Sequence, residues 1–351
     1  MRSSPKFDSV KIFFQSGIQY FSNIKTQLFV TVMLFYISQV ESLEALHAFE
    51  LPKIEFGDYI NLIRPYGWVS NFVSIGFGLL LTNIWVFQAP TIIIQYILIG
   101  FAIGPLLWGG LYTFNAVFDA EFDRIHPTKM DRPIAAQRVS KRMGIFFATI
   151  HVLLGLALIA FISPIGFFLA LVMVGFQILY SFPPFRLKET VLNLFFSGPM
   201  NHFFRILIGW TLVLPLLDAP YFFLIGIVFL LAIGYLSYKI QDKEIADQFG
   251  YRGLESYLTL RGIVIFDSFL VIMASTFIFI AFLSCQITWH LLLFIPLSFV
   301  IFLYIWLSSS SLWQVAKPGI FIGKLHNLVI IFFLIEWLII IMRLLPFLKI
   351  F

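Results

Sequence analysis

Charge is scarce in this chain. Asp, Glu, Lys and Arg make up 12% of its 351 residues, against roughly 25% in a soluble domain. That shortage excludes a surface solvated by water on all sides. Cysteine is scarcer: the single Cys285 excludes an internal disulfide framework and a cysteine-based zinc site. What fills the space is apolar. Hydrophobic residues account for 60% of the chain, Phe alone occurs 44 times, and the mean hydropathy is +0.95. The composition is that of a polytopic membrane protein.

A helix needs about 20 apolar residues to cross the hydrocarbon. Such runs lie near 68–87, 91–118, 143–161, 163–181, 191–217, 220–239, 262–285, 287–309 and 326–347. They do not alternate apolar with polar residues, as membrane barrel strands do over about 10 positions. The expected fold class is therefore all-α: nine transmembrane helices bundled around a central cavity. Basic residues support the spacing. Arg124, Lys129, Arg132, Arg138, Lys141 and Arg142 follow the second run, and Arg186 and Lys188 follow the fourth. Lys239, Lys243, Arg252 and Arg261 follow the sixth, Lys317 and Lys324 the eighth, while Lys53 and Arg64 precede the first. The connections after the first, third, fifth and seventh runs carry no Lys or Arg. The positive-inside rule places the basic set in the cytoplasm.

Residues 1–55 read as an N-terminal extension, ahead of a nine-helix domain at 56–351. Its apolar stretch, 28–40, is short for a span. Arg2, Lys6, Lys11 and Lys25 precede it, and an extra crossing would send them outside. An interfacial helix is the expectation, with a tenth span as the alternative. The stretch lacks a small-residue cleavage site, so it does not read as a cleaved signal peptide.

The scarce charge is concentrated. "FNAVFDAEFDRIHPTKMDRP", Phe114 to Pro133, gathers Asp119, Glu121, Asp123 and Asp131 where the second apolar run ends. Asn115, Asp119 and Asp123 are four apart and share one face of a continuing helix. Two carboxylates and an amide oxygen make a hard oxygen array that suits Mg²⁺, which keeps several waters and bridges to substrate phosphates. The alternative is a solvated helix end with ordinary acids. A second cluster, "YKIQDKEIADQFGYRG", follows the sixth run and carries Asp242, Glu244 and Asp247 beside Lys239 and Lys243. The charge pattern puts both clusters on the cytoplasmic side. Two facing acidic helix ends could hold Mg²⁺ ions that neutralise a diphosphate and assist its departure.

Asn115-x3-Asp119-x3-Asp123 followed by "DRPI" resembles the first motif and loop of the UbiA superfamily of intramembrane prenyltransferases. "YSFPPFRLK", Tyr180 to Lys188, resembles a segment of the branch with chlorophyll synthases, homogentisate prenyltransferases and archaeal ether-lipid prenyltransferases. "KEIADQFGYR", Lys243 to Arg252, is similar to the family's second motif, and "IRPYGW" to the segment that leads into its first span. The resemblance covers 60–351. It implies Mg²⁺ ligands at Asn115, Asp119, Asp123, Glu244 and Asp247. Asp242 lies off the motif register and adds a carboxylate if the helix end is irregular. Two departures thin the set: Ala116 stands at the family's second acid, and Tyr251 at the last acid of motif two. The resemblance also implies diphosphate contacts by Arg132 and a phosphate or acceptor role for Lys188 and Lys243, each of which also reads as a plain cytoplasmic charge. Tyr180 is placed by its motif position to face positive charge developing on the prenyl chain.

Asn201, His202 and Arg205 fall inside the fifth run, where charge is costly and faces a cavity or a partner. Arg205 is expected to touch the acceptor or the diphosphate; the alternative is a structural pair with Asp267 or Glu336. These readings imply an Mg²⁺-dependent prenyltransferase of isoprenoid and lipid biosynthesis. Its catalytic carboxylates would be Asp119, Asp123 and Asp247. The partners would be a polyprenyl diphosphate, a lipophilic acceptor (an aromatic ring, a tetrapyrrole carboxylate or a glycerol-lipid hydroxyl) and membrane lipid, with no nucleic acid. Ala116 and Tyr251 favour one alternative, a catalytically reduced assembly subunit. A transporter is the other, although it would need polar residues through both halves of the bilayer.

Overall fold

The computed structural model describes residues 56–82, 90–126, 129–182, 185–190, 192–196, 198–241 and 260–300. All belong to the unit Ile54–Phe351. The extension 1–55, the ninth run at 326–347 with Glu336, and the second acidic motif with Asp242, Lys243, Glu244, Asp247 and Tyr251 lie outside the described residues. The described secondary structure is helical throughout. In chain order it comprises α1 (Phe56–Ile63), α2 (Trp68–Leu81), α3 (Pro90–Phe101), a π-helical stretch (Ala102–Trp108) and α4 (Gly109–Ile125). Next come α5 (Lys141–Ile162), α6 (Pro164–Ser181), the single turn α7 (Asn193–Phe196), α8 (Pro199–Trp210), α9 (Tyr221–Gln241) and α10 (Leu260–Leu283).

Four of these segments are long and apolar enough to cross a membrane: Pro90–Ile125, Lys141–Ile162, Pro164–Ser181 and Val264–Leu283. They correspond to the second, third, fourth and seventh apolar runs. Tyr221–Leu236 and Leu291–Val300 are shorter apolar helices. The outward faces keep large apolar side chains exposed, including Phe146, Leu153, Phe161, Phe168 and Ile272. In water that exposure would be unfavourable, whereas in lipid it costs nothing.

Local chemistry sets the helix ends. Ser140 and Ser163 cap α5 and α6 by accepting from the Met143 and Gly166 amides at 3.2 and 3.0 Å. Pro164 and Pro199 open α6 and α8, where a missing N–H leaves no bond unmade. Pro105 falls inside a span instead, within the π-helical stretch. An interior proline has no amide to donate and crowds the carbonyl four residues earlier. The wider π turns absorb that defect and carry the helix on into α4.

The main core joins α2, the π-helical stretch, α5, α6, α8, α9 and α10. Phe77, Phe223 and Phe294 are fully buried in it, with ring centroids 5.6 to 6.2 Å apart. Helices α2 and α8 cross closely because glycine lies on both sides. A Cβ at Gly78 would overlap the Ile206 carbonyl, and one at Gly209 would overlap the Ile75 carbonyl. Small residues permit this backbone approach in membranes, where packing replaces the hydrophobic drive.

A second, smaller cluster sits where α1, α4 and the loop after α4 meet. It buries Leu62, Ala116, Val117, Ala120, Ile134 and Val139. The loop is pinned further by Arg138, which donates to Asp58 Oδ1 of α1 at 2.9 Å and to the Asp131 carbonyl at 2.7 Å. Because Ile134, Ala135 and Val139 are buried, the loop cannot swing freely, and Arg132 is held over the end of α4.

The crossing carries a prediction. Gly78→Ala or Gly209→Ala forces a methyl against a carbonyl and should cost about 1–3 kcal/mol of stability. Thermal unfolding of the purified protein checks it, with Gly57→Ala, where a Cβ meets nothing within 4 Å, as the control.

Candidate active site

One face of the second span carries the site. Trp108, Tyr112, Asn115, Asp119 and Asp123 are spaced four, three, four and four residues apart, so they line up along α4 from its deep end to its mouth. Asp119 and Asp123 are 6% and 5% exposed. Carboxylates that buried must be matched by cations or hydrogen bonds, and cations reach both from outside the helix.

Lys188 donates to Asp119 Oδ1, and Arg186 Nη2 lies 3.8 Å from the same oxygen. Arg132 Nη1 donates to Asp123 Oδ2 at 2.7 Å. Lys188 is itself only 4% exposed. Burial pushes its ammonium pKa down from the usual lysine range, and Asp119 pulls it back up. Its backbone carbonyl accepts from the buried Asn193 Nδ2 at 2.6 Å, which fixes the turn that aims it. Arg186 stands 5.1 Å over the Phe122 ring, with Nε 2.6 Å from Glu189. Asn115 Oδ1 accepts from Ser181 Oγ at 2.9 Å, tying the end of α6 to α4. Tyr180 is half-buried beside Ser181.

Arg64 approaches from the turn between α1 and α2. Its guanidinium lies 4.8 Å over the Tyr112 ring, and its Nη2 is buried with no hydrogen-bond partner. Burial first, then the positive charge of Arg132, lowers its pKa from the usual arginine range. Arg64 and Arg186 both have left-handed backbone, at φ 49° and 35°. A non-glycine residue there stores on the order of 1–3 kcal/mol of strain, which concentrates at binding sites. Lys188, Arg186, Arg132 and Arg64 outnumber the two carboxylates, so the mouth is suited to an anion.

Deeper in the bundle, Asn201 and Arg205 of α8 are buried side by side on one face. Asn201 Nδ2 donates to the Phe196 carbonyl at 3.2 Å. Arg205 stacks 4.3 Å over the Trp108 ring. No ion pair joins it to Asp267, whose two oxygens are buried without a hydrogen-bond partner. His202 Nδ1 and Ser74 Oγ are 2.7 Å apart. Ser74 Oγ also lies 2.7 Å from the Ser70 carbonyl, so the hydroxyl bridges α2's own backbone and the imidazole. Arg64, Tyr112, Trp108 and Ser181 were not singled out as site residues from the sequence. Extending the Asn115–Asp119–Asp123 spacing backwards along the helix would have reached Tyr112 and Trp108.

The donor set fits a hard divalent cation. Lys188 and Arg186 both approach Asp119 Oδ1, and Arg132 holds Asp123 Oδ2. One oxygen of each carboxylate therefore makes no hydrogen bond among the described residues. No cluster of three or more acidic, His or Cys side chains occurs among the described residues. A complete coordination sphere would draw on waters, a substrate phosphate or the second motif.

The described residues thus form an all-helical membrane bundle with acids and bases gathered at one end of α4. Residues 70–328 match the UbiA prenyltransferase family, and the chain belongs to that family. It is 31% identical to protoheme IX farnesyltransferase of Kineococcus radiotolerans over 140 residues, 38% of this chain and 39% of that protein. The matched stretch is thus well under half of that curated relative. The solved structure of digeranylgeranylglyceryl phosphate synthase shares the fold at TM-score 0.61 and 20% identity, covering 80% of this chain and 97% of that one. A UbiA homolog from Archaeoglobus fulgidus bound to GPP and Mg²⁺ gives 0.60 at 17% identity, over 81% and 99%.

The Lys188–Asp119 pair predicts a thermodynamic coupling. Removing one member of a buried ion pair strands the other and costs about 3–5 kcal/mol. Lys188→Met and Asp119→Asn should each destabilise the protein, and the double variant should recover much of the loss. Additive losses in a double-mutant cycle would show that the two side chains do not act as a pair.

Proposed function

We propose that this protein transfers a prenyl group from a polyprenyl diphosphate to a lipophilic acceptor. The observation that carries the reading is the α4 face: two buried carboxylates, each with one oxygen uncommitted, ringed by Lys188, Arg186, Arg132 and Arg64. The relatives point the same way, since one is named for farnesyl transfer and one was solved with GPP and Mg²⁺. We place the site at the cytoplasmic mouth of a nine-span bundle formed by residues 56–351, with residues 1–55 as an interfacial extension.

Asn115, Asp119 and Asp123 would hold Mg²⁺, together with Glu244 and Asp247 of the second motif and with Asp242 if the helix end is irregular. When bound, the ion supplies charge neutralisation and Lewis-acid pull on the departing diphosphate. Arg132, Lys188 and Lys243 bind the diphosphate oxygens, where charge-assisted bonds are strongest. As the C1–oxygen bond breaks, positive charge builds on the allylic carbon, and the Tyr180 ring faces it. The acceptor nucleophile forms the new bond to C1 and loses its proton. Apolar walls keep water from capturing the cation, and an opening to lipid lets substrate and product avoid water.

Ala116 had suggested reduced catalysis. It is buried among Leu62, Val117 and Ile134, about 100° around the helix from Asn115. Three residues before Asp119 and seven before Asp123, it shares their helix face, so alanine there leaves that face one carboxylate short and the departure keeps its weight as the case for reduced catalysis.

Purified protein given radiolabelled geranylgeranyl diphosphate, Mg²⁺ and a panel of acceptors should release diphosphate and form a labelled lipid. Asp119→Ala and Asp123→Ala should abolish Mg²⁺-dependent diphosphate binding. Wild-type binding in both variants would remove the metal assignment. No turnover with any acceptor, together with no binding, would favour an assembly role.

A further inference from the structure

We infer that Lys188 and Arg132 gate the metal: the site takes up a divalent cation only together with a diphosphate, which draws both side chains off the carboxylates. The inference rests on the prenyl-transfer reading and deepens it, by giving the order in which that site fills. In the structure the two carboxylates are already matched from within the chain. Lys188 Nζ donates to Asp119 Oδ1, and Arg132 Nη1 donates to Asp123 Oδ2 at 2.7 Å. Arg186 Nη2 stands 3.8 Å from the same Asp119 oxygen.

Each carboxylate keeps one oxygen outside these bonds, so a metal finds ligands but not a favourable field. A cation bonded to one oxygen lies about 4–6 Å from a metal on the other, a range over which like charges strongly oppose each other. A neighbouring charge at that distance changes a carboxylate's affinity for a single proton by about tenfold or more, and a dication feels twice the force. Lys188 cannot step aside into water. Its side chain is 4% exposed, and Asn193 holds the backbone turn that carries it. The ammonium leaves Asp119 only for another anion at the same place.

The surroundings favour that anion. Among the described residues, the four cations Arg64, Arg132, Arg186 and Lys188 stand against the three carboxylates Asp119, Asp123 and Glu189. Arg64 Nη2 and Arg186 Nη2 are buried with no hydrogen-bond partner. An oxyanion satisfies such donors and a dication does not. A diphosphate has enough oxygens to accept from Lys188, Arg132 and these two nitrogens together. As those bonds form, Asp119 Oδ1 and Asp123 Oδ2 are released, and both carboxylates turn to a metal that shares the phosphate as a ligand. No covalent bond changes; one set of ion pairs replaces another. By linkage, whatever factor the diphosphate adds to metal affinity, the metal adds to diphosphate affinity.

Mn²⁺ is the probe, because its paramagnetic signal distinguishes bound from free ion. Full-length protein in phosphatidylcholine nanodiscs is titrated with Mn²⁺ alone, then beside the unreactive analogue geranylgeranyl thiolodiphosphate, with the ion held by free analogue subtracted. The wild type should bind Mn²⁺ about tenfold or more tighter when the analogue is present. Lys188→Met and Arg132→Gln should each tighten binding of Mn²⁺ alone by about tenfold and shrink the analogue's effect. The Arg132 side chain is 29% exposed, so its variant carries the test if Lys188→Met does not fold. Lys141→Gln removes the same charge from the exposed pair with Glu121 and should change neither measurement. Equal tightening by Lys141→Gln would reduce the effect to bulk charge and overturn the gate. A wild type that binds Mn²⁺ alone as tightly as with the analogue overturns it, as does Arg132→Gln binding Mn²⁺ alone no better than the wild type. If inorganic pyrophosphate has the full effect and the geranylgeranyl analogue has none, the gate stands and the prenyl donor falls.

Discussion

Carboxylates sunk at the end of an apolar bundle cannot stand alone, and the rest of the mouth is organised around that constraint. Asp119 and Asp123 are shielded by α4's neighbours, so each needs a cation delivered from elsewhere in the chain. Lys188 comes from the turn after α6, Arg132 from the loop after α4. Both deliveries need local scaffolding. Asn193 braces the backbone of Lys188, while buried Ile134, Ala135 and Val139 anchor the loop that carries Arg132. The small apolar cluster under that loop is thus as much a part of the site as the charges above it.

A graded polarity follows along the single face of α4. At the mouth are acids with bases; one turn in, an asparagine tied to Ser181; deeper, two aromatic rings flanked by Arg64 and Arg205. A family member acting on a charged headgroup attached to a greasy chain has use for such a gradient. In the proposed prenyl transfer the polar end would fix the headgroup, while the deeper rings would meet apolar substrate without leaving backbone groups exposed to lipid.

Much of this was legible in the sequence. The Asn115–Asp119–Asp123 spacing reads directly as one helix face, because helix geometry is local. The apolar runs at 91–118, 143–161, 163–181 and 262–285 reappear as long helices for the same reason. What was not legible depends on contacts between distant segments. Arg205 could equally have paired with Asp267, since both are intramembrane charges; only packing shows Arg205 on Trp108 instead. Arg64 was visible as a charge ahead of the first span, but its left-handed backbone and its place over Tyr112 are tertiary facts. The second motif, at 242–252, lies outside the described residues and keeps its standing as a sequence reading.

The π-helical stretch at Ala102–Trp108 has a consequence for how this span tolerates length changes. Its wide turns advance the chain by more residues per revolution than the α-helices on either side. Excising one residue near Pro105 would let the span close into an ordinary α-helix, but α3 would then turn by about 100° relative to α4. The outward-facing side chains of α3, such as Ile94 and Phe101, would roll toward protein while the acids kept their bearing. The irregular stretch thus serves as a phase adjuster: it lets one continuous rod show lipid the correct stripe at one end and bring the Asp119–Asp123 stripe to its basic partners at the other.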